Sequence, residues 1–263
     1  MRTIPKISAL AYPVATGAVL LVVWYAIIAL FRIPAFVLPA PHQILDAGWQ
    51  ERATLASAAF ITARGALLGF IAAVGVGFLL SLALGFSGRI KQSFYPYVLM
   101  LQMMPVTILA PIFVLWLGQG LPSIVAITFM IGFFPVVANT TMGLISADRN
   151  LQELFVMCGA TRAQEIRYLR IPAAMPYFLT GMKIAGTLAP IGAIVGDFLA
   201  GSAKDGVGGI GYMTISYFSQ LNTPALFATG LVACVLGFAF VGGVNWLHWY
   251  LLRDWHDSIV QQE

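Results

Sequence analysis

Long apolar runs alternate with short polar or glycine- and proline-rich pieces along most of the chain. A helix needs about 20 apolar residues to cross a hydrocarbon core of about 30 Å, and each run is close to that length. Backbone N–H and C=O groups cannot stay unpaired in lipid, so each run is predicted to be helical. The pattern therefore predicts an all-α, polytopic membrane bundle of about six transmembrane helices, near residues 9–31, 57–85, 94–117, 123–144, 177–200 and 225–250.

The composition supports a membrane protein and leaves no room for a separate soluble domain. Hydrophobic residues make up 60% of the 263 residues and charged residues only 9%, whereas about a quarter of the residues in soluble domains are charged. The first apolar run continues beyond the 7–15 residues typical of a signal peptide, so we expect a retained span. One transmembrane domain is predicted over 1–263, with a long loop at about 145–176.

Basic residues are scattered singly between the apolar runs and form no stripe of the kind that binds nucleic acid. If the N-terminus is cytoplasmic, nine Lys and Arg fall on that side and four on the other, with one further lysine inside a span. Positive residues favour the cytoplasm. We therefore expect both termini and the 145–176 loop to be cytoplasmic.

The loop carries an unusual cluster of charge in the stretch "CGATRAQEIRYLRIP". The pattern predicts a helix around 151–157, a turn at Gly159 and a second helix over 162–169, capped by Thr161 with Gln164. Pro172 is expected to end this second helix and Pro176 to open the next span. Such a knob suits a groove on another protein; the alternative is a loop whose charges meet lipid headgroups.

This loop resembles the "EAA" loop in the permease subunits of ATP-binding-cassette (ABC) importers. The spacing of that motif is intact although its two alanines are replaced, and the matching positions are Glu153, Leu154, Phe155, Gly159, Leu169, Ile171 and Pro172. The similarity extends through "PVTILAPIFVLWLGQG", "FFPVVANTTMGL", "IPAAMPYFLTGMKIAG" and "IGAIVGDFLAGSAKDGVGGIGY". It is strongest to the branch that includes nitrate, sulfonate, taurine, thiamine-precursor and riboflavin permeases.

The resemblance implies an inner-membrane transport subunit that is not itself an enzyme. Its implied partners are a second copy of the chain, two ATPase subunits that hold ATP and Mg, an extracytoplasmic solute-binding protein and membrane lipid. Solute would cross by alternating access. The loop would be the coupling helix docked on the ATPase, with contacts from Glu153, Gly159, Ala160, Thr161, Arg162, Glu165, Arg167 and Pro172. Charges such as Arg162, Arg167 and Arg170 are expected at its rim, where exposed ion pairs contribute only about 0–1 kcal/mol.

No cofactor or metal site is expected in the chain itself. None of Lys6, Lys91, Lys183 and Lys204 follows a glycine as the P-loop lysine does. The pattern "GVGGIG" at 206–211 lacks the preceding strand of a dinucleotide fingerprint, so a flexible gate or re-entrant turn is the preferred interpretation.

Two places within the apolar runs are candidates for the solute path. The first is Gln102, Met103, Met104 and Pro105, for which plain helix packing is the alternative. The second is Asp197, an ionisable residue inside a span, for which a structural hydrogen bond is the alternative.

The neutral Gln102 stands where sulfonate and taurine members often carry arginine. It favours a small heteroaromatic solute, such as a thiamine-precursor pyrimidine or a riboflavin-like molecule, over nitrate, sulfonate or taurine. An ion-coupled secondary transporter and an intramembrane enzyme are the rival classes. The first would need internal repeats and more buried carboxylates, and the second would need paired catalytic groups within the spans.

Overall fold

The computed structural model describes residues 6–86, 88–203 and 207–252. Helices dominate these ranges. In chain order they are α1 (Lys6–Phe31), α2 (Pro41–Gln50), α3 (Arg52–Phe86), α4 (Gly88–Met103), α5 (Val106–Leu117), α6 (Leu121–Ile145), α7 (Arg149–Met157), α8 (Arg162–Glu165), a π-helical turn at Ile166–Arg170, α9 (Ile171–Ala200), α10 (Ile210–Ser219) and α11 (Thr223–Leu252).

The helices include five stretches long and apolar enough to cross a membrane. They are Ala11–Phe31, Arg52–Gly85, Leu121–Ile145, Arg162–Ala200 and Thr223–Tyr250. Helices α4 and α5 pass the same test only as a bent pair, which brings the number of candidate spans in the described residues to as many as six. The predicted all-α membrane bundle is confirmed.

The predicted span at 94–117 is not one continuous helix. Helices α4 and α5 meet at an angle of 97°, with Met104 and Pro105 between them. Pro105 has no N–H to donate, and proline disfavours helical backbone in the residue before it. The N–H of Met104 instead donates to the carbonyl of Leu101, 3.2 Å away, in a tight turn.

The predicted helix end at Pro172 and span start at Pro176 are also wrong, because the chain stays helical from Arg162 to Ala200. Pro172 lies in the first turn of α9, where the fixed φ of proline suits a helix. Pro176 lies inside α9, and membrane helices tolerate proline where neighbouring helices support the backbone.

Helices α6 and α9 form the centre of the bundle, and α3 packs across both. Their backbones approach so closely that side chains are excluded at several points. A Cβ added at Gly181 would lie 2.9 Å from the carbonyl oxygen of Pro135, and one at Gly143 would lie 2.9 Å from the Cα of Ala174. Small residues commonly mediate such close helix packing in membranes.

The two N-terminal spans differ in how they join this centre. Helix α3 has 35 residues, which corresponds to a length of about 52 Å at 1.5 Å per residue. Helix α1 lies at the edge, and none of the residues in its apolar window is buried. It touches the bundle through Trp24, whose ring lies 6.2 Å from that of Phe227.

The bundle has two distinct ends. At the end opposite the 145–176 loop, the N–H of Gly120 donates to the carbonyl of Ala200 at 2.7 Å. At the same end, the hydroxyl of Thr223 donates to the carbonyl of Phe36 at 2.7 Å. We call this the far end. Here α10 packs against α9 and α11 through its buried residues Ile210, Gly211, Met213 and Tyr217.

Candidate functional site

The 145–176 loop is a helix–turn–helix, as its sequence predicts. Asp148 caps α7 by accepting the N–H of Asn150 at 2.7 Å. The chain then turns at Gly159, whose φ is +71°. Thr161 and Gln164 form the predicted capping box at the start of α8, with the backbone N–H of Thr161 donating to the Gln164 side chain at 2.7 Å.

Helix α7 presents apolar side chains to the surroundings. Leu154 is 51% exposed, Val156 71% and Met157 84%. A cleft of about 480 Å³ runs between this helix and α8, lined by Arg149, Gln152, Glu153, Val156, Met157, Arg162 and Glu165. An exposed apolar patch beside charged residues is typical of a surface that another protein covers.

Behind this surface lies a buried polar cluster. The carboxylate of Glu165 accepts from Arg170 Nε at 2.7 Å and from Arg162 Nη1 at 2.6 Å. Arg170 Nη2 donates to the side-chain oxygen of Gln152 at 2.9 Å, and Gln152 Nε2 donates to the carbonyl of Ala147 at 2.7 Å. The expectation that Arg170 lies at the rim is wrong, because it is only 8% exposed.

The other predicted loop residues lie nearer the surface. Glu153 is exposed and pairs with Arg149 at 3.5 Å. Arg167 is exposed beside its neighbour Tyr168, with its guanidinium 5.7 Å from that ring. Ala160 is half-buried after the turn at Gly159.

Gln152 was missed as a member of the site, because its contact with Arg170 joins residues 18 positions apart. The burial of Arg170 and its pairing with Glu165 were also missed, because α-helical periodicity places residues five apart on different faces. The opposite charges of Glu165 and Arg170 were the one sequence signal for this pair. A regular α-helix would not bring the two side chains together, so the signal did not predict the contact.

The bend between α4 and α5 creates a second candidate site, a cavity of about 230 Å³. Its lining includes Gln102 and Met104, together with Phe134 from α6 and Leu188 from α9. Gln102 brings an amide to a lining that is otherwise apolar. Met103 is 84% exposed and does not line this cavity, while Pro105 begins the turn into α5.

Asp197 lies away from that cavity, at the far end of α9, and is 1% exposed. Its carboxylate accepts a short hydrogen bond from the hydroxyl of Thr62 on α3. That hydroxyl in turn accepts the N–H of Ile210, the first residue of α10, at 2.8 Å. Asp197 thus takes part in the structural hydrogen bond weighed from sequence; a role in the solute path stays a prediction.

Glycines explain how the chain comes so near to Asp197. A Cβ at Gly209 would overlap the Asp197 carboxylate, and one at Gly211 would overlap the carbonyl oxygen of Ile194. Gly209 and Gly211 of the "GVGGIG" pattern therefore allow the backbone to approach α9 closely. Gly206, the first residue of that pattern, lies outside the described residues.

A third polar contact joins α10 to Glu51, the residue between α2 and α3. The hydroxyl of Tyr217 donates to the carboxylate of Glu51 at 3.1 Å. Burial, together with the neighbouring negative charge of Glu51, raises the pKa of Tyr217 to about 12. The phenol therefore remains a protonated donor at neutral pH.

The chain is similar to several transport proteins. Residues 65–251 match the family described as "Binding-protein-dependent transport system inner membrane component". The formylaminopyrimidine transport permease protein ThiX of Halalkalibacterium halodurans is 36% identical over 223 residues, which cover 83% of this chain and 85% of that protein. The riboflavin transport system permease protein RibX of Chloroflexus aurantiacus is 34% identical over 221 residues, with coverage of 83% and 80%.

A solved structure supports the same fold. The crystal structure of an amino acid ABC transporter with histidines superposes with a TM-score of 0.57 at 15% identity, covering 78% of this chain and 95% of that one. The resemblance identified in the loop is thus confirmed over most of the chain. This protein belongs to the binding-protein-dependent transport system inner membrane component family, and it is a permease subunit of an ABC importer.

Proposed function

We propose that the chain forms a homodimer whose two 145–176 loops each dock on one ATPase subunit. The exposed apolar face of α7, next to the charged cleft, carries this proposal. ATP and Mg would be bound by the ATPase subunits, and an extracytoplasmic solute-binding protein would deliver solute at the far end. The two-fold axis of the dimer would hold the solute path.

The proposed orientation places both termini and the loop in the cytoplasm. It rests on the excess of basic residues on that side of the predicted spans. In a background without Cys158 and Cys234, a single cysteine at Arg167 should react with a membrane-impermeant maleimide only in inverted vesicles. One at Ala203, just after α9, should react from outside.

The proposed solute is a small heteroaromatic molecule. Two relatives named for formylaminopyrimidine and riboflavin support this choice. So does the cavity at the α4–α5 bend, where a neutral amide stands among apolar side chains. A neutral amide offers hydrogen bonds without the positive charge that favours an oxyanion.

The test is purification of the tagged chain from its native host, followed by reconstitution of the complex into proteoliposomes. We expect a P-loop ATPase to co-purify in equal amount. We also expect ATP-dependent uptake of radiolabelled formylaminopyrimidine or riboflavin, delivered by the solute-binding protein.

Two results would contradict parts of this proposal. Uptake of taurine or nitrate instead would overturn the solute class and leave the transport role intact. Purification without any ATPase would overturn the role of the 145–176 loop.

A further inference from the structure

We infer that Glu165 and Arg170 are positioning residues that join the ATPase-docking loop rigidly to span α9 through a π-helical turn. This inference rests on the proposed function, because it concerns how movement of the loop reaches the membrane. It assigns a task to Arg170, which does not line the docking cleft, and a second task to Glu165, which lines that cleft. Both are at most 8% exposed, behind the face of α7.

The π-helical turn is what allows these two residues to meet. In an α-helix of 3.6 residues per turn, positions five apart are rotated by about 140° and face different ways. Within Ile166–Arg170 the hydrogen bonding shifts to five residues, and the N–H of Ile171 donates to the carbonyl of Ile166. Residues five apart then lie one turn apart on the same side. Single π-helical turns inside helices occur frequently at functional sites.

The polar cluster also connects the π-helical turn to α8, to α7 and to the end of α6. Glu165 uses one oxygen for Arg170 and the other for Arg162, so α8 and the π-turn are held by a single carboxylate. Arg170 also reaches Gln152 on α7, and Gln152 holds the carbonyl of Ala147 just after α6. The loop is therefore fastened to both central spans.

The location of the joint separates it from a docking contact. Helix α7 ends in a left-handed turn at Gly159, and Gly159 itself has open space around it. Along the chain, α7 is connected to α9 through this turn, the short α8 and the π-helical turn. Charge-assisted hydrogen bonds in a buried place resist such bending more than exposed ones. The joint is thus suited to carrying a push on α7 into α9.

The experiment measures movement at both sides of the joint in the whole complex. One spin label per chain, placed at Asn150 on α7 or at Ala203 after α9, gives one distance across a homodimer. In the wild-type complex, ATP with vanadate should change both distances. In Glu165→Gln we expect the Asn150 distance to respond while the Ala203 response falls, with ATP hydrolysed per solute rising about tenfold.

Controls separate the positioning role from simple damage. Asp148→Asn makes the same acid-to-amide change in the same loop, is exposed, and retains a residue that caps helices well; it should behave as wild type. Arg170→Lys keeps the charge but cannot contact Glu165 and Gln152 at the same time as arginine does. Its Ala203 response should therefore lie between those of the wild type and Glu165→Gln. Co-purified ATPase and the thermal midpoint are recorded for each variant.

The outcomes distinguish this inference from the proposed function. Full responses at Ala203 in both Glu165→Gln and Arg170→Lys would show that Glu165 and Arg170 do not transmit movement of the loop to α9, and would overturn this inference. Loss of both responses in Glu165→Gln, with loss of bound ATPase, would also overturn it, since the pair would then only shape the docking surface. A wild-type chain that binds no ATPase would instead remove the proposed function on which the joint depends.

Discussion

Glu165 and Asp197 are two buried carboxylates at opposite ends of one continuous helical stretch, and their surroundings differ. Glu165 lies between the guanidinium groups of Arg162 and Arg170. Asp197 receives a neutral hydroxyl from Thr62 and has glycine backbone packed against it. A buried charge needs a counter-charge or several hydrogen bonds. The loop end uses counter-charges, whereas the far end relies on close fit.

Because of this difference, the two ends should tolerate different substitutions. A cluster held by charge fails when one partner is deleted, because the remaining charge is left without compensation. A cluster held by fit fails when atoms are added, because the nearby backbone has no room to move.

Arg170→Ala should be the most damaging single change at the loop end. Breaking a buried ion pair typically costs about 3–5 kcal/mol, and we expect the lower end, about 3 kcal/mol, because Arg162 still compensates Glu165. Thermal unfolding of the purified chain measures the loss. Arg167→Ala is the matched control, since Arg167 is exposed and its loss should stay within about 0.5 kcal/mol. Equal effects would mean that burial of Arg170 contributes nothing.

Gly211→Ala should be the corresponding change at the far end. The added methyl overlaps the backbone of Ile194 and Phe198, which cannot move as a flexible side chain would. We expect a loss of about 1–3 kcal/mol and faster proteolysis near α10. Gly230→Ala, where a Cβ meets nothing within 4 Å, should be neutral or stabilising by up to about 1 kcal/mol. A neutral Gly211→Ala would contradict the close fit.

Gly159→Val tests the turn between the two loop helices. A left-handed φ costs a β-branched residue about 1–2 kcal/mol, so the loop should change shape while the spans stay folded. We expect loss of solute-stimulated ATPase activity in the reconstituted complex. Gly159→Asn should retain most of it, because asparagine adopts this conformation readily. Full stimulation with valine would show that the turn can change without affecting the coupling.

Asp197→Asn should have the smallest effect on stability. The asparagine oxygen still accepts from Thr62, so the loss should stay below the value of one neutral hydrogen bond, about 0.5–1.5 kcal/mol. We expect assembly to remain intact and uptake to fall, while Thr62→Ser stays close to wild type because it keeps the hydroxyl. Uptake at the wild-type level in Asp197→Asn would limit the residue to a packing role.

Features that depend on neighbouring residues along the chain could be predicted from the sequence. Apolar runs predicted the helical membrane bundle with its five to six candidate spans, and the spacing of Thr161 and Gln164 predicted the cap of α8. Gly159 marked the turn for the same reason, since glycine readily adopts positive φ.

Features that depend on contacts between distant segments could not be predicted in this way. The pairing of Glu165 with Arg170 needs a π-helical turn that no simple periodicity signals. The approach of Gly209 to Asp197 joins segments that meet only after α10 packs on α9. A kink was expected at Pro105, but its angle of 97° was not, because Pro105 resembles other prolines that remain inside helices, such as Pro111.

The length of α3 makes the surrounding lipid a variable of transport. Its candidate span of 34 residues, which includes Arg52 and Arg64, measures about 51 Å, well beyond a hydrocarbon core of about 30 Å. Such mismatch is accommodated by tilting or by local thickening of the bilayer. Because α3 packs across both α6 and α9, a change in its tilt would act on the centre of the bundle. Reconstitution in phosphatidylcholines of increasing acyl length should therefore change the transport rate without any change in the protein.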